Sequence, residues 1–133
     1  MSESGAAGIS SCFAPTLAAG QLRSWAIAHE ITRAAVEAAS SYAEQGVRSA
    51  FTFGRSFREW LGILAALGIP HVLVTPQQWQ HGLVRPPDGA DQKSRSLTVA
   101  RRLFPDIDLS RKKDHHRSDA LLLAYWAKQG GTR

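Results

Sequence analysis

The stretch QGVRSAFTFGRSFREWLGILAALGIPHVLVTPQQW, residues 45–79, decides how this chain folds. From Ala50 to Leu67, large apolar residues recur at helical spacing and predict an amphipathic helix. They are Phe53, Phe57, Trp60, Leu61 and Leu64. Gly68 is expected just past the end of this helix, and the β-branched run HVLVT at residues 71–75 then reads as a short buried strand. Thr75 to Trp79 begins a turn or a short helix.

Upstream of this stretch, the sequence favours helix over strand. Residues 17–45 are rich in alanine, and apolar residues recur at roughly helical spacing, which predicts helix in one piece or two. Gly46 closes that segment. Residues 1–16 are small and polar and show no hydrophobic periodicity. We therefore expect a loose N-terminal tail followed by one domain over residues 17–133.

Downstream, two more helices are expected around a loop. Residues 81–90 are rich in proline and glycine and predict that loop. Asp91 is placed to cap a basic helix over residues 92–104, which Pro105 ends. A final helix is expected over roughly residues 115–129.

Composition narrows the class of protein. A chain of 133 residues with 44% apolar residues has the length and core of one domain. Its net charge of +5 favours a polyanionic partner such as nucleic acid, and ten of its sixteen basic residues lie between Lys93 and Arg133. One cysteine excludes an intrachain disulfide framework. No stretch resembles a membrane span or a signal peptide, so we expect a cytoplasmic protein without membrane contact.

The segment RKKDHHRSD, residues 111–119, carries the most concentrated chemical signal. If Asp114 caps the last helix, His115 and Asp119 share one face of its first turn. A carboxylate and an imidazole there can bind a divalent cation, and the preceding basic residues can hold a phosphate beside it, as phosphodiester hydrolysis requires. The alternative is a helix cap, a solvated basic loop and two exposed histidines.

A second carboxylate is needed for a two-metal site. Glu37 and Glu44 both lie in the alanine-rich segment, and composition does not choose between them; each could equally be a solvated helix residue. Among the aromatic residues, Trp25 and Trp126 are expected in the core, as are Phe53, Phe57 and Trp60. Trp79 is expected to be a packing anchor rather than a platform for base stacking.

From Val36 onward, the chain resembles the RuvC-type Holliday junction resolvases, especially their phage-like and chloroplast branch. The resemblance rests on residues 45–79 and on KSRSLTVARRLFPDIDLSRKKDHHRSDALLLAYWAK, residues 93–128. Its most specific blocks are FGRSF, GILAALGIP, VTPxxW and KKDHxRxDALLLA, which together with their spacing cover about two-thirds of the chain.

This resemblance implies an α/β, RNase H-like fold, with a mixed sheet flanked by helices. It also implies a homodimeric, Mg²⁺- or Mn²⁺-dependent endonuclease of DNA recombination and repair that cuts branched DNA such as four-way junctions. Counting back from Gln45 gives the role of the strand-end catalytic Glu to Glu37 rather than to Glu44. The same resemblance makes His115 and Asp119 the C-terminal catalytic pair that binds the metal. Asp114 belongs to the same motif, where it caps the helix and supports the pair without binding the metal itself. Candidate DNA contacts are Arg55, Lys93, Arg101, Lys112, Lys113 and Arg117.

The sequence departs from the resemblance at its beginning. Relatives open with a strand that carries an Asp in a D-x-G context, whereas this chain has no Asp before Asp88. The segment around Glu37, TRAAVEAA, favours helix where relatives have a strand rich in valine and isoleucine. We therefore expect an N-terminally incomplete domain whose sheet lacks its first hairpin.

Three hypotheses follow from these observations. The first is a metal-dependent endonuclease using Glu37, His115 and Asp119, which predicts a strand at Glu37 with its carboxylate near Asp119. The second is a catalytically inactive, resolvase-like DNA-binding remnant that lacks the first catalytic Asp. The third is a small DNA-binding module made of the two C-terminal helices alone.

Overall fold

The computed structural model describes residues 5–9, 15–38 and 46–131. Helices and strands alternate along most of this length, and single turns of 3-10 helix lie at Pro86–Asp88 and Lys112–Asp114. The strands are β1 Gly5–Ile9, β2 Ile31–Glu37 and β3 His71–Val74. The helices are α1 Pro15–Ala28, α2 Val47–Ala66, α3 Pro76–Gln80, α4 Gln92–Leu103 and α5 His115–Lys128.

The three described strands form one parallel sheet in the order β1-β2-β3. Strand β2 is central: Ala35 lies opposite Gly8 of β1 and opposite Val72 of β3. The helix expected over residues 17–45 is therefore wrong from Ile31 to Glu37. Alanine favours helix in isolation, but in the sheet β2 is hydrogen-bonded to a strand on each side, and Ala34 to Val36 are buried.

Strand β1 differs from the loose tail expected over residues 1–16. Its sequence, GAAGI, has no hydrophobic alternation, and the strand is held by parallel pairing with β2. Helix α5 packs against β1 and β2. No antiparallel hairpin is present among the described strands, so the sheet is parallel here rather than mixed.

Helices cover both faces of the sheet and give an α/β fold with two apolar layers. One layer joins the sheet to α3, α4 and α5. Its buried members are Ala35, Val74, Trp79, Leu97, Val99, Ala100, Leu109, Leu122, Leu123 and Ala127. The other layer joins the opposite face to α1 and α2 through Leu22, Ala34, Val36, Trp60, Leu64 and Ile69. Because α5 contacts β1 and β2, the hypothesis of an independent two-helix module is wrong.

Several helix boundaries match the sequence. Gly68, with φ of 69°, follows α2, and the amide of Ile69 donates to the Leu64 carbonyl at 2.9 Å, which closes the helix end. The Asp91 carboxylate accepts from the Ser94 amide at 2.8 Å and caps α4 as expected.

The expected core is found in part. Trp60 is buried and Phe57 half-buried, whereas Trp25 is 51% exposed, which corrects its predicted place in the core. Trp126 is half-buried against the first apolar layer. The side chain of Phe53 lies outside the described residues, as do Glu44 and Cys12. No helix in the described ranges is both long and apolar enough to cross a membrane.

Candidate active site

Glu37 is the last residue of β2, so its side chain stands at the carboxyl end of the central strand. The hypothesis of a strand at this position is confirmed. The carboxylate is half-buried, and its Oε2 accepts a hydrogen bond from the indole Nε1 of Trp79 at 2.9 Å. Glu37 lies opposite Val74 in the sheet, and the chain leaves β3 there to enter α3, which brings Trp79 back over the end of β2.

Helix α3 is fixed at its start by a reciprocal pair of hydrogen bonds. The Gln78 amide donates to the Thr75 hydroxyl at 3.3 Å, and the Thr75 amide donates to Oε1 of Gln78 at 2.8 Å. This capping box, with Pro76 in the first turn, holds one short helix in a defined direction. Trp79 is fully buried as a result, and its expected role as a packing anchor is confirmed.

Asp119 reaches the same region from the second turn of α5. Its Oδ1 is buried and has no hydrogen-bond partner among the described residues. The side chain of Ser96, a fully buried residue of α4, lies near enough to Asp119 to lower the pKa of its carboxyl. The Ser96 hydroxyl accepts a hydrogen bond from Nε2 of Gln92 at 3.1 Å. Helix α4 therefore lies beside Asp119, while Oδ1 is left without a hydrogen-bond partner in the described part of the chain.

The two carboxylates interact electrostatically. Burial raises the pKa of Glu37 above its ordinary value, the hydrogen bond from Trp79 lowers it, and the negative charge of Asp119 raises it again. Burial also raises the pKa of Asp119, against the lowering effects of Ser96 and of the nearby His115. Two partly desolvated carboxylates whose charges repel each other would be stabilised by a cation bound between them.

His115 opens α5 on the same side as Asp119, as its spacing predicts. Its Nδ1 lies 3.2 Å from the carbonyl oxygen of Lys112, and its ring lies 3.8 Å, centroid to centroid, from the ring of His116. Burial lowers the pKa of His116, and the positive charges of His115 and Lys93 lower it further. His115 therefore lies near Asp119, and His116 lies near the positive charges of His115 and Lys93.

Asp114 occupies the position before α5 but does not cap it through its side chain. The carboxylate turns back instead: Oδ2 accepts from the Arg111 amide at 3.0 Å, and Oδ1 accepts from the Arg111 guanidinium at 2.8 Å. Arg111 thereby holds the pKa of Asp114 below its ordinary value. The predicted cap is wrong because a carboxylate buried to this degree gains more from a guanidinium than from one amide.

Three of the candidate DNA contacts are lysines at the start of α4 and in the turn before α5. Lys93, Lys112 and Lys113 are exposed. Hydrogen bonds from Ser94 hold the pKa of Asp91 below its ordinary value, and the charges of Lys112 and Lys93 contribute to the lowering. These two lysines, from different elements, therefore lie near the start of α4.

The three arginines among the candidates have structural partners. Arg101 donates through Nε and Nη2 to the Leu109 carbonyl, at 2.9 and 2.7 Å. Arg117 donates from Nη1 to the Asp108 carbonyl at 3.0 Å. Both arginines brace the loop between α4 and α5. Arg55 lies on α2 and pairs with Glu59 at 3.0 Å.

Glu37 and Asp119 fit a hard divalent cation by their chemistry. Mg²⁺ is commonly held by one or two carboxylates together with water and substrate phosphate oxygens, and the unpartnered Oδ1 of Asp119 is an oxygen that such an ion would satisfy. A complete protein cage is not present: among the described residues, no three His, Cys, Asp or Glu side chains come close enough to hold a metal. The predicted set Glu37, His115 and Asp119 does not form such a group, and its metal-binding role stays a prediction; Asp119 affects the pKa of Glu37, and His115 affects that of Asp119.

Sequence reasoning missed two residues of this site. Ser96 gives no signal, because a serine inside a basic helix is ordinary. For Trp79 the sequence predicts a packing anchor but not a hydrogen bond to Glu37. That bond depends on the parallel pairing of β2 with β3, which local sequence does not show.

Comparison with known proteins gives one sequence relative and several related structures. No family model matches the chain. Over 81 residues it is 40% identical to the chloroplastic Holliday junction resolvase MOC1 of Chlamydomonas reinhardtii, an alignment that covers 59% of this chain and 9% of the relative. The chain thus spans about a tenth of the length of that curated relative.

Solved structures of RuvC from Thermus thermophilus share the fold. RuvC in complex with a Holliday junction substrate superposes with a TM-score of 0.63 at 17% identity, over 88% of this chain and 70% of that one. A second RuvC structure gives a TM-score of 0.61 at 19% identity, over 88% and 69%. These matches confirm the predicted RNase H-like α/β class. In sequence and in fold, this chain is similar to the RuvC-type Holliday junction resolvases.

Proposed function

We propose that this chain is a metal-dependent endonuclease that hydrolyses phosphodiester bonds in branched DNA, with the four-way junction as its substrate. The observation that carries this proposal is the meeting of Glu37 and Asp119. One comes from the end of the central strand and the other from α5, and their charges interact although both residues are partly buried. The similarity to a Holliday junction resolvase over 81 residues supports this choice of substrate.

Each residue of the site has a distinct part in this proposal. Glu37 and Asp119 hold Mg²⁺ or Mn²⁺ through carboxylate oxygens. When bound, the ion neutralises the scissile phosphate and makes an attacking water more acidic. Asp119 lies near Ser96, and its unpartnered Oδ1 is available to the ion. His115 lies next to Asp119, where its imidazole can bind the ion or a phosphate oxygen.

The DNA backbone is expected to follow the lysines. Lys112 and Lys113 immediately precede α5, and Lys93 lies in the first turn of α4, so exposed positive charge is present at the start of both helices. Ammonium groups in these places neutralise phosphates on either side of the scissile one. Arg101 and Arg117 act indirectly, because they fix the loop that carries Lys112 and Lys113.

We propose further that the chain acts as a homodimer. A four-way junction has two equivalent strands to cut, and two copies related by a twofold axis place one site on each. Helix α2 supports this: its first turns expose Val47 by 88% and Phe51 by 73%. Large apolar side chains exposed together are typical of a protein interface.

The cytoplasmic location stays a prediction from the sequence.

The test is cleavage of a labelled four-way junction with Mg²⁺ or Mn²⁺, using wild-type chain beside Glu37→Gln and Asp119→Asn. We expect paired nicks at symmetric positions from the wild type and none from either variant, while all three bind the junction. A linear duplex of the same sequence is the substrate control and should remain intact. Junction binding without nicking at any metal concentration would refute the endonuclease and support the inactive DNA-binding alternative, which the absence of a carboxylate from Gly5–Ile9 motivates.

A further inference from the structure

Trp79 combines a fully buried ring with a polar contact to the site. Its indole packs in the layer between the sheet and helices α4 and α5, and its Nε1 donates to Oε2 of Glu37 at 2.9 Å. Packing alone would be served by any large apolar side chain. The hydrogen bond is different, because it reaches a carboxylate whose charge is partly desolvated.

We propose that Trp79 is a positioning residue that fixes the rotation of the Glu37 carboxylate. The donor occupies Oε2, so Oε1 is the oxygen that this arrangement leaves for a cation. This inference rests on the proposed function, since positioning matters only where Glu37 binds an ion or substrate. Residues that hydrogen-bond to metal ligands commonly affect metal binding nearly as strongly as the ligands themselves.

The direction of the Trp79 indole N–H is set by residues at the start of α3 that lie outside the apolar layer. The capping box of Thr75 and Gln78 sets where α3 begins, and Trp79 is the fourth residue of that five-residue helix. Gln78 is exposed, so its side chain contributes to α3 without filling the apolar layer. A change at Gln78 therefore loosens the donor while the ring volume in the core is kept.

The chain contains a matched control. Trp60 is also buried, 5% exposed, but it lies in the opposite apolar layer, and its Nε1 has no hydrogen-bond partner among the described residues. Trp60→Phe removes a buried indole without removing a described hydrogen bond. Trp79→Phe removes the same group together with the donor to Glu37. The difference between the two variants isolates the effect of the N–H.

The first experiment measures Mn²⁺ binding to the full chain by calorimetry, without DNA. We expect the dissociation constant to rise about tenfold in Trp79→Phe and to stay at the wild-type value in Trp60→Phe. Gln78→Ala should give a smaller rise. In junction cleavage at saturating Mn²⁺, Trp79→Phe should lower kcat while KM for the junction is unchanged, because the lysines that bind the backbone are untouched.

A second measurement reads the hydrogen bond directly. The chain has four tryptophans, so a nitrogen–proton spectrum of labelled protein shows four indole signals. Glu37→Gln should shift the Trp79 signal, assigned from its loss in Trp79→Phe, and leave the Trp60 signal in place. If Trp79→Phe fails to fold, the positioning role is tested by this shift together with the Mn²⁺ affinity of Gln78→Ala.

The outcomes separate this inference from the proposed function. Wild-type chain that binds no Mn²⁺ and cuts no junction would refute both. Two results would refute the positioning role alone and leave the endonuclease proposal intact. One is a Mn²⁺ affinity of folded Trp79→Phe equal to that of the wild type. The other is a Trp79 indole signal that does not shift in Glu37→Gln.

Discussion

Asp119→Asn should make the protein more stable and remove its metal binding. The Asp119 carboxylate has a buried oxygen without a described partner, and burial raises its pKa, so the ionised form is disfavoured in the folded state. A buried charge costs more than a buried neutral polar group, so replacing the carboxylate by an amide should recover about 1 kcal/mol although a polar atom remains at the site. For a chain of this length, that corresponds to a rise in melting temperature of about 3–5 °C.

The assay is thermal unfolding at neutral pH, run beside Mn²⁺ titration of the same samples. Asp114→Asn is the matched control, since it makes the same substitution five residues earlier. Asp114 is buried and bound by the Arg111 guanidinium, so its variant should melt at a lower temperature. A lower melting temperature for Asp119→Asn, equal to that of the control, would refute the reasoning: Asp119 would then be a structural residue rather than a ligand held at a cost to stability.

Three further predictions concern pH, salt and the loop. The raised pKa values of Glu37 and Asp119 mean that their protonated forms stabilise the fold fully below about pH 4, a contribution lost as pH rises through those values. Mn²⁺ needs the ionised pair, so its effect on melting temperature should be larger at about pH 7.5 than at about pH 5. Replacing Lys112 and Lys113 by alanine should reduce the slope of log Kd for junction DNA against log salt by about 1 for each lysine, measured by anisotropy. Arg101→Met should lower the free energy of unfolding by about 1 kcal/mol in urea, through loss of its bonds to the Leu109 carbonyl.

The helices and the position of the last strand could be predicted because their signals are local. The expectation that this strand is buried is wrong: in β3 only Val74 is buried, and Val72 and Leu73 are exposed. Asp91 and Gly68 act on their own neighbours, and the apolar face of α2 depends on spacing alone. Strand β2 could not be predicted in this way. Its residues, ITRAAVE, favour helix, and only pairing with β1 and β3 makes the extended form the stable one.

The candidate site shows the same division. His115 and Asp119 follow from helical spacing once the start of α5 is placed. Glu37 was chosen over Glu44 by resemblance rather than by its own surroundings, and Glu44 lies outside the described residues. The side chain of Asp114 was expected to cap α5 but binds Arg111, because a choice between two close partners depends on burial that the sequence does not report.

The parallel register of β2 and β3 constrains how the protein can change in length. Glu37 is aligned with Val74, and α3 begins two residues after Val74. One residue inserted between α2 and β3 would slide the strands by about 3.3 Å or invert the faces of β3, and either change would carry the indole of Trp79 away from the carboxylate. Insertions within residues 81–90 come after Trp79 and leave that pair intact. Natural variation in length should therefore be found in the second connection and be rare in the first.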